Sequence, residues 1–196
     1  MKRCLGVLIA SLFLAVPMML AQENHYMDHF EVGAFANYYR LADPSPTRNF
    51  FGIGGRAGFG LTPNVQIEAE MAYDFERNYT STYGNTITST TVTSRLRTIH
   101  GVFGPKFQTG SGPFRFFVTG KVGFDNFGVT NLGAPTGFSN NVGLTNGATY
   151  LAVYPAGGIE AFAHWIGVRA EVGDDIFFNN GAHNNLRATF GPQFRF

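Results

Sequence analysis

The stretch Val65-Gln-Ile-Glu-Ala-Glu-Met-Ala-Tyr-Asp-Phe75 alternates apolar and polar side chains. Residues two apart share one face of a β-strand, whereas the roughly 3.6-residue period of a helix would mix the two kinds. The stretch therefore predicts a strand with one apolar face and one face that carries Glu68, Glu70 and Asp74. The same alternation is present in the last segment of the chain, 186–196.

The alternation predicts eight strands. They cover residues 29–40, 50–61, 65–76, 95–108, 114–127, 149–163, 166–178 and 186–196. Each is near the ~9–11 residues that a tilted transmembrane strand needs. Short turns alternate with longer connections that are rich in Asn, Thr, Ser and Gly. The longer connections are residues 41–49, 77–94, 128–148 and 179–185. This order is typical of an all-β, eight-stranded antiparallel up-and-down barrel, whose short turns and long loops lie at opposite rims.

The distribution of glycine indicates which face points outward. Glycines such as Gly52, Gly54, Gly58 and Gly104 fall on the polar faces, whereas most Phe, Val, Ile and Leu fall on the apolar faces. The interior of an eight-stranded barrel is only just wide enough to be filled by side chains. Small residues therefore belong inside, and bulky apolar residues belong outside in lipid. The alternative is a soluble, lipocalin-like barrel with an apolar interior.

The first residues have the features of a targeting signal. Lys2 and Arg3 precede an apolar run, and Ala21 offers a cleavage point, so residues 1–21 are predicted to be a signal peptide and 22–196 the barrel domain. The alternative, an uncleaved anchor, is disfavoured because the run is shorter than the ~20 residues that span a bilayer. The one cysteine, Cys4, lies inside this signal, so the mature barrel has no thiol chemistry.

Two stretches resemble the small outer-membrane β-barrel family that includes the OmpA transmembrane domain and OmpX. Residues 52–73 are similar to the second strand, tight turn and third strand of that family, and 190–196 to its C-terminal assembly signal. The resemblance implies a location in the cell outer membrane and contact with its lipid. It also implies that the barrel-assembly machinery reads Phe190, Phe194 and Phe196.

Charged residues are predicted to fill the lumen, and seven acidic residues face seven basic ones there. This lumen charge network consists of Glu31, Arg56, Glu68, Glu70, Asp74, Lys106, Arg115, Lys121, Asp125, Glu160, Arg169, Glu171, Arg187 and Arg195. Buried charges are tolerated when they are paired and hydrogen-bonded. The even balance favours a sealed lumen and a structural or surface-interaction role. A narrow passive channel of the porin type is the alternative.

No catalytic constellation stands out, and we expect the chain not to be an enzyme. Ser94 and His100 share a strand but lie about 20 Å apart, too far for a nucleophile and its base. Asp174, Asp175 and His183 near the loop ends keep a barrel hydrolase as a second alternative. No cofactor and no metal site are expected.

The long loops are the candidate sites of interaction. Residues 77–94 and 128–148 are rich in Thr, Asn and Gly, and an extracellular ligand at these loops is one expectation. The formal net charge of +1 and the lack of a basic stripe argue against a nucleic-acid partner.

Overall fold

The computed structural model describes residues 29–42, 47–84, 89–110, 112–132 and 144–196. The predicted signal peptide, residues 1–21, lies outside the described residues. In the ranges given above, no helix is long and apolar enough to span a bilayer.

Eight antiparallel strands form a closed barrel in which each strand pairs with its neighbours in the sequence, and β8 pairs with β1. The strands are β1 Phe30–Leu41, β2 Arg48–Thr62, β3 Val65–Gly84, β4 Ser89–Gln108, β5 Phe114–Leu132, β6 Ala148–Ala163, β7 Ile166–Phe178 and β8 Ala182–Arg195. The predicted fold class is confirmed. Alternation of apolar and polar side chains with a period of two suits this architecture, because each strand presents one face to the lumen and the other to the outside.

The short connections 63–64, 109–113 and 164–165 lie at one end of the barrel, which we call the turn rim. Both ends of the described chain lie there as well, because the Phe196 amide donates to the Phe30 carbonyl at 2.8 Å. The opposite end is the loop rim. In the two-residue turn between β6 and β7, His164 adopts a left-handed backbone with φ 62°.

All four predicted loops are shorter than expected, the first because β1 extends to Leu41 and β2 begins at Arg48. Residues 77–84 and 89–94, assigned to one loop, continue β3 and β4 as a paired hairpin. Gly128–Leu132 belongs to β5, and the last connection is only 179–181 because β8 begins at Ala182. Threonine and other β-branched residues favour strands even where apolar and polar residues do not alternate. Segments that were predicted to be loops from their Thr-rich composition are therefore strands.

The apolar side chains lie on the outside of the barrel. Phe190, Phe103, Ile53 and Met71 expose 58–61% of their surface, and they belong to a band of large apolar residues around the wall. The polar and charged side chains are buried within the lumen. Only hydrocarbon accommodates such a band without a large hydrophobic cost, so the wall is built for a bilayer.

Candidate functional site: the barrel lumen

The structure places thirteen of the fourteen predicted network residues in the buried interior. They are Glu31, Arg56, Glu68, Glu70, Asp74, Lys106, Arg115, Lys121, Asp125, Glu160, Arg169, Glu171 and Arg187. Each lies on the inward face of its strand, as the alternation requires. The pairings between them link strands on opposite sides of the barrel, and they form layers from the turn rim to the loop rim.

Arg195 lies apart from this network, half-buried at the turn rim. Its Nε donates to the His164 carbonyl at 2.6 Å and its Nη1 to the Gly112 carbonyl at 3.3 Å, while its guanidinium lies over Phe162. The side chain therefore ties together the turns that follow β4 and β6.

The layer nearest the turn rim joins four strands through one lysine and one arginine. Lys106 Nζ on β4 donates to Glu31 on β1 and to Glu160 on β6, each at 2.9 Å. Arg115 Nη1 on β5 donates to the other oxygen of Glu31 at 2.7 Å. Because β1 and β5 face each other across the barrel, these bonds bridge the lumen itself.

The middle layer centres on Arg169. Its guanidinium contacts Glu68, Glu171 and Glu160, the last at 3.0 Å. Lys121 Nζ donates to Glu70 at 2.8 Å and lies 3.1 Å from Glu68. Shared partners of this kind make the layer a connected network. Removal of one charged side chain would leave its partner buried and unpaired, at a cost of about 3–5 kcal/mol.

Arg56 completes this layer from β2. Its Nη1 lies 3.3 Å from Glu171 and its Nη2 donates to the Thr189 hydroxyl at 2.8 Å. Its guanidinium also lies 4.3 Å from the ring centre of Phe35, and that of Arg169 lies 4.0 Å from the ring of Phe117. Cation–π contacts with inward aromatic rings therefore supply attraction where the guanidinium planes lack a carboxylate.

The layer toward the loop rim contains two residues that the predicted network omitted, His100 and Asp175. His100 Nε2 lies 2.8 Å from Asp74, and its Nδ1 lies 2.8 Å from Asp125 and 3.2 Å from Asp175. All four side chains are fully buried. The sequence held the signal, since His100 shares the even-numbered inward face of β4 with Lys106.

An apolar cap closes the lumen above this layer. Its members are fully or almost fully buried, although the sequence argument placed apolar side chains outside. The cap consists of Tyr39, Leu41, Phe50, Leu96, Phe127, Val129, Leu144, Ala152 and Phe177. Tyr79 and Tyr150 pack against its edge. The interior is therefore charged over most of its height and hydrocarbon-like at the loop rim.

The residues considered for hydrolysis do not form a catalytic pair. Ser94 and His100 both face the lumen, away from lipid. Asp175 points inward to His100, whereas Asp174 accepts hydrogen bonds from Asn184 and Asn185. His183 Nε2 lies 2.8 Å from the Asn179 carbonyl. These side chains therefore serve separate local contacts.

The predicted assembly-signal residues lie on β8 and at its end. Phe190 and Phe196 are exposed on the outer surface. Phe194 stacks on Trp165 with ring centres 5.8 Å apart, next to the turn rim. This edge of the barrel presents the aromatic side chains that the resemblance singled out.

The same architecture is found among solved structures of known proteins. No protein-family model and no curated protein matches the chain. Among solved structures, neisserial surface protein A covers 86% of this chain over 97% of its own, with a TM-score of 0.59 and 13% identity. The attachment invasion locus protein Ail of Yersinia pestis, in complex with the heparin analogue sucrose octasulfate, covers 87% over 100%, with a TM-score of 0.58 and 11% identity.

OprG, an outer membrane protein of Pseudomonas aeruginosa, covers 88% of this chain over 98% of its own, with a TM-score of 0.53 and 10% identity. At such identities the likeness concerns the fold. The closed eight-stranded wall, the exposed apolar band and the charged interior agree with it. The chain is an eight-stranded β-barrel with the fold of the small outer-membrane barrels, and the cell outer membrane is where its apolar band is accommodated.

Proposed function

We propose that the chain is a closed, non-conducting outer-membrane barrel that acts by presenting its loop rim and its β3–β4 hairpin at the cell surface. The observation that carries this proposal is the double obstruction of the lumen. The apolar cap fills one end, and the ion-pair layers bridge the rest. Porin channels, in contrast, keep a polar interior filled with water.

Conductance across a planar bilayer tests the closed barrel against the passive-channel alternative. Wild-type protein is expected to give no reproducible unitary steps under conditions in which a 16-stranded porin conducts. Unitary steps that disappear in Arg56→Gln or Glu160→Gln would overturn the closed-barrel proposal, because they would show a path through the charged layers.

The exposed charge at the loop rim supports an anionic partner. Arg40, Arg77 and Arg97 are exposed, and Arg95 is partly exposed and lies 3.6 Å from Glu76. These arginines all belong to the β1–β4 half of the barrel. Anionic groups of a polysaccharide or of outer-leaflet lipid are therefore the partners that this side of the rim suits best.

Sucrose octasulfate is a suitable probe because it is a compact polyanion. We expect it to bind the folded barrel, with affinity that falls as salt rises. Arg95→Gln/Arg97→Gln should weaken binding by about tenfold, equivalent to ~1.4 kcal/mol. Arg195→Gln removes an arginine at the opposite rim and should leave the affinity unchanged. Equal losses in both variants would contradict a site at the loop rim.

We further propose that the protein is not an enzyme. The support is the local arrangement of the three candidate residues. Ser94 faces the lumen, Asp174 accepts a hydrogen bond from the Asn185 amide, and His183 Nε2 lies against the Asn179 carbonyl. Hydrolysis of lipid A or peptide substrates that is lost in His183→Gln would overturn this proposal.

A further inference from the structure

The lumen layer nearest the cap contains more negative than positive charge. Asp74, Asp125 and Asp175 lie there with one guanidinium, that of Arg187. Arg187 is shared, because its Nη2 lies 3.0 Å from Glu70 and its Nη1 lies 3.7 Å from Asp175. Buried carboxylates are stable only when their charge is compensated. Even with His100 protonated, three carboxylates share one imidazolium and one guanidinium that also serves Glu70, so the described part of this layer keeps a surplus of negative charge.

His100 is oriented as metal-binding histidines are. Its Nε2 lies 2.8 Å from Asp74, so a proton on Nε2 would be donated to that carboxylate and would fix the ring. In the neutral tautomer protonated at Nε2, Nδ1 carries a lone pair, and it faces Asp125 Oδ1 at 2.8 Å and Asp175 Oδ2 at 3.2 Å. Either a proton on Nδ1 or a metal ion bound to it removes the repulsion between this lone pair and the two carboxylate oxygens, and a metal ion in that place would also bind both carboxylates.

The carboxylates facing Nδ1 also have unused acceptors. Asp125 Oδ2 and both oxygens of Asp175 are buried and accept no hydrogen bond in the described structure. A buried polar atom without a partner costs about 1–3 kcal/mol, and more when it is charged. These oxygens point to a further ligand in the same place as the surplus of negative charge.

We propose that His100 Nδ1, Asp125 and Asp175 bind a divalent first-row transition metal ion such as Zn²⁺, with Asp74 orienting the imidazole. The three ligand atoms lie within 4.8 Å of one another. Zinc bonds of about 2.0–2.2 Å in tetrahedral geometry place ligand atoms about 3.3 Å apart, which needs only small shifts from the 2.8 and 3.2 Å that separate Nδ1 from the two carboxylate oxygens. One imidazole and two carboxylates suit zinc, manganese or iron better than the all-oxygen ions calcium and magnesium.

Two bound carboxylates and a neutral histidine offset the charge of a divalent ion. Tyr39 packs edge-on against His100 with ring centres 4.5 Å apart, so the apolar cap separates the site from the loop rim. A metal ion must therefore enter from the turn rim or during folding. The experiment therefore supplies the ion both during refolding and to the folded barrel.

Untagged mature protein, refolded into detergent with Co²⁺ present or exposed to Co²⁺ after refolding, tests the site. After desalting we expect one Co²⁺ per folded chain by elemental analysis, displaced by Zn²⁺, with a visible d–d spectrum. Asp125→Asn and Asp175→Asn should each weaken binding at least about tenfold. Glu160→Gln removes a buried carboxylate from the layer near the turn rim and should bind as wild type does.

No retained ion under either loading condition would overturn the proposal, as would equal binding by wild type and both asparagine variants. The heat-dependent gel mobility of the barrel reports whether each variant folds. A measurement on the wild type does not depend on the variants: spin-echo spectroscopy of bound Mn²⁺ should show coupling to one imidazole nitrogen. Absence of that coupling would also overturn the proposal.

Discussion

Gly123 on β5 shows how little space separates the inward faces of neighbouring strands. A Cβ atom there would lie 1.9 Å from the Gly101 carbonyl oxygen, which is backbone and cannot move aside. Gly120 on the same strand faces outward, and a Cβ atom there would meet nothing within 4 Å. Two glycines three positions apart therefore have opposite tolerance for a side chain.

We expect Gly123→Ala to destabilise the barrel by about 1–3 kcal/mol, as overpacking does. Gly120→Ala should be neutral or stabilising by up to about 1 kcal/mol, because alanine loses less backbone freedom than glycine. Urea unfolding in detergent micelles measures both. Equal effects of the two substitutions would contradict the assignment of the faces.

The residues on the inward face of each strand were predictable because side chains alternate between the two faces of a strand with a period of two residues. Glu68 and Glu70 lie in the lumen, as the first quoted stretch indicated. Partners were not predictable, since Lys106 meets Glu31 only through barrel closure and the register of four strands. Phe127 breaks the rule that apolar residues face lipid, and one sequence offers no sign that its inward position belongs to a cap.

The β3–β4 hairpin extends beyond the wall that supports it. Pairing of β2 with β3 ends at Gly52 and Asp74, and pairing of β4 with β5 ends at Thr93 and Leu132. The pairs from Ser81–Val92 to Gly84–Ser89 continue without a third strand in the described structure. Four residues at ~3.3 Å each give a ribbon about 13 Å long. Sequence alone did not show it because serine and threonine obscure the alternation.

Replacing residues 81–92 by Asn-Gly should leave the barrel intact. Thr80 and Thr93 are paired, with hydroxyl oxygens 3.3 Å apart, and a two-residue turn can join them. Heat-dependent gel mobility and an unfolding free energy within about 1 kcal/mol of wild type are expected, since these pairs lie beyond the last described pairings of β3 with β2 and of β4 with β5.

Deletion of Met71 alone is the control for this excision. It shifts every following residue of β3 to the other face and should abolish folding. Loss of folding in the excised variant would show that the ribbon contributes to the wall.

The exposed apolar band fixes how the whole barrel lies in the membrane. It extends from Phe59 and Phe107 near the turn rim to Phe51 and Phe75 toward the loop rim. Trp165 lies at the turn rim, 58% exposed, and is the one tryptophan of the chain. Tryptophan at such a rim belongs in the interface between headgroups and acyl chains.

The fluorescence of Trp165 should therefore report the depth of the turn rim. In bilayers of brominated lipid, quenching by bromine near the carbonyl region is expected to exceed quenching by bromine at the chain ends by about twofold. Strongest quenching at the bilayer midplane would contradict this placement. Absence of any quenching in folded protein would contradict insertion itself.

The apolar cap separates the charged interior from the compartment that the loop rim faces. Hydrated ions and polar denaturants enter a hydrocarbon-like plug at high cost, whereas the opposite mouth is lined by Arg115, Arg195 and their carbonyl acceptors. Changes in salt or chelator on the loop-rim side would thus leave the core electrostatics untouched. The end at the tight turns is closed by ion pairs and hydrogen bonds instead, which salt weakens and hydrocarbon contacts resist, so the two ends of the barrel insulate its interior by different means.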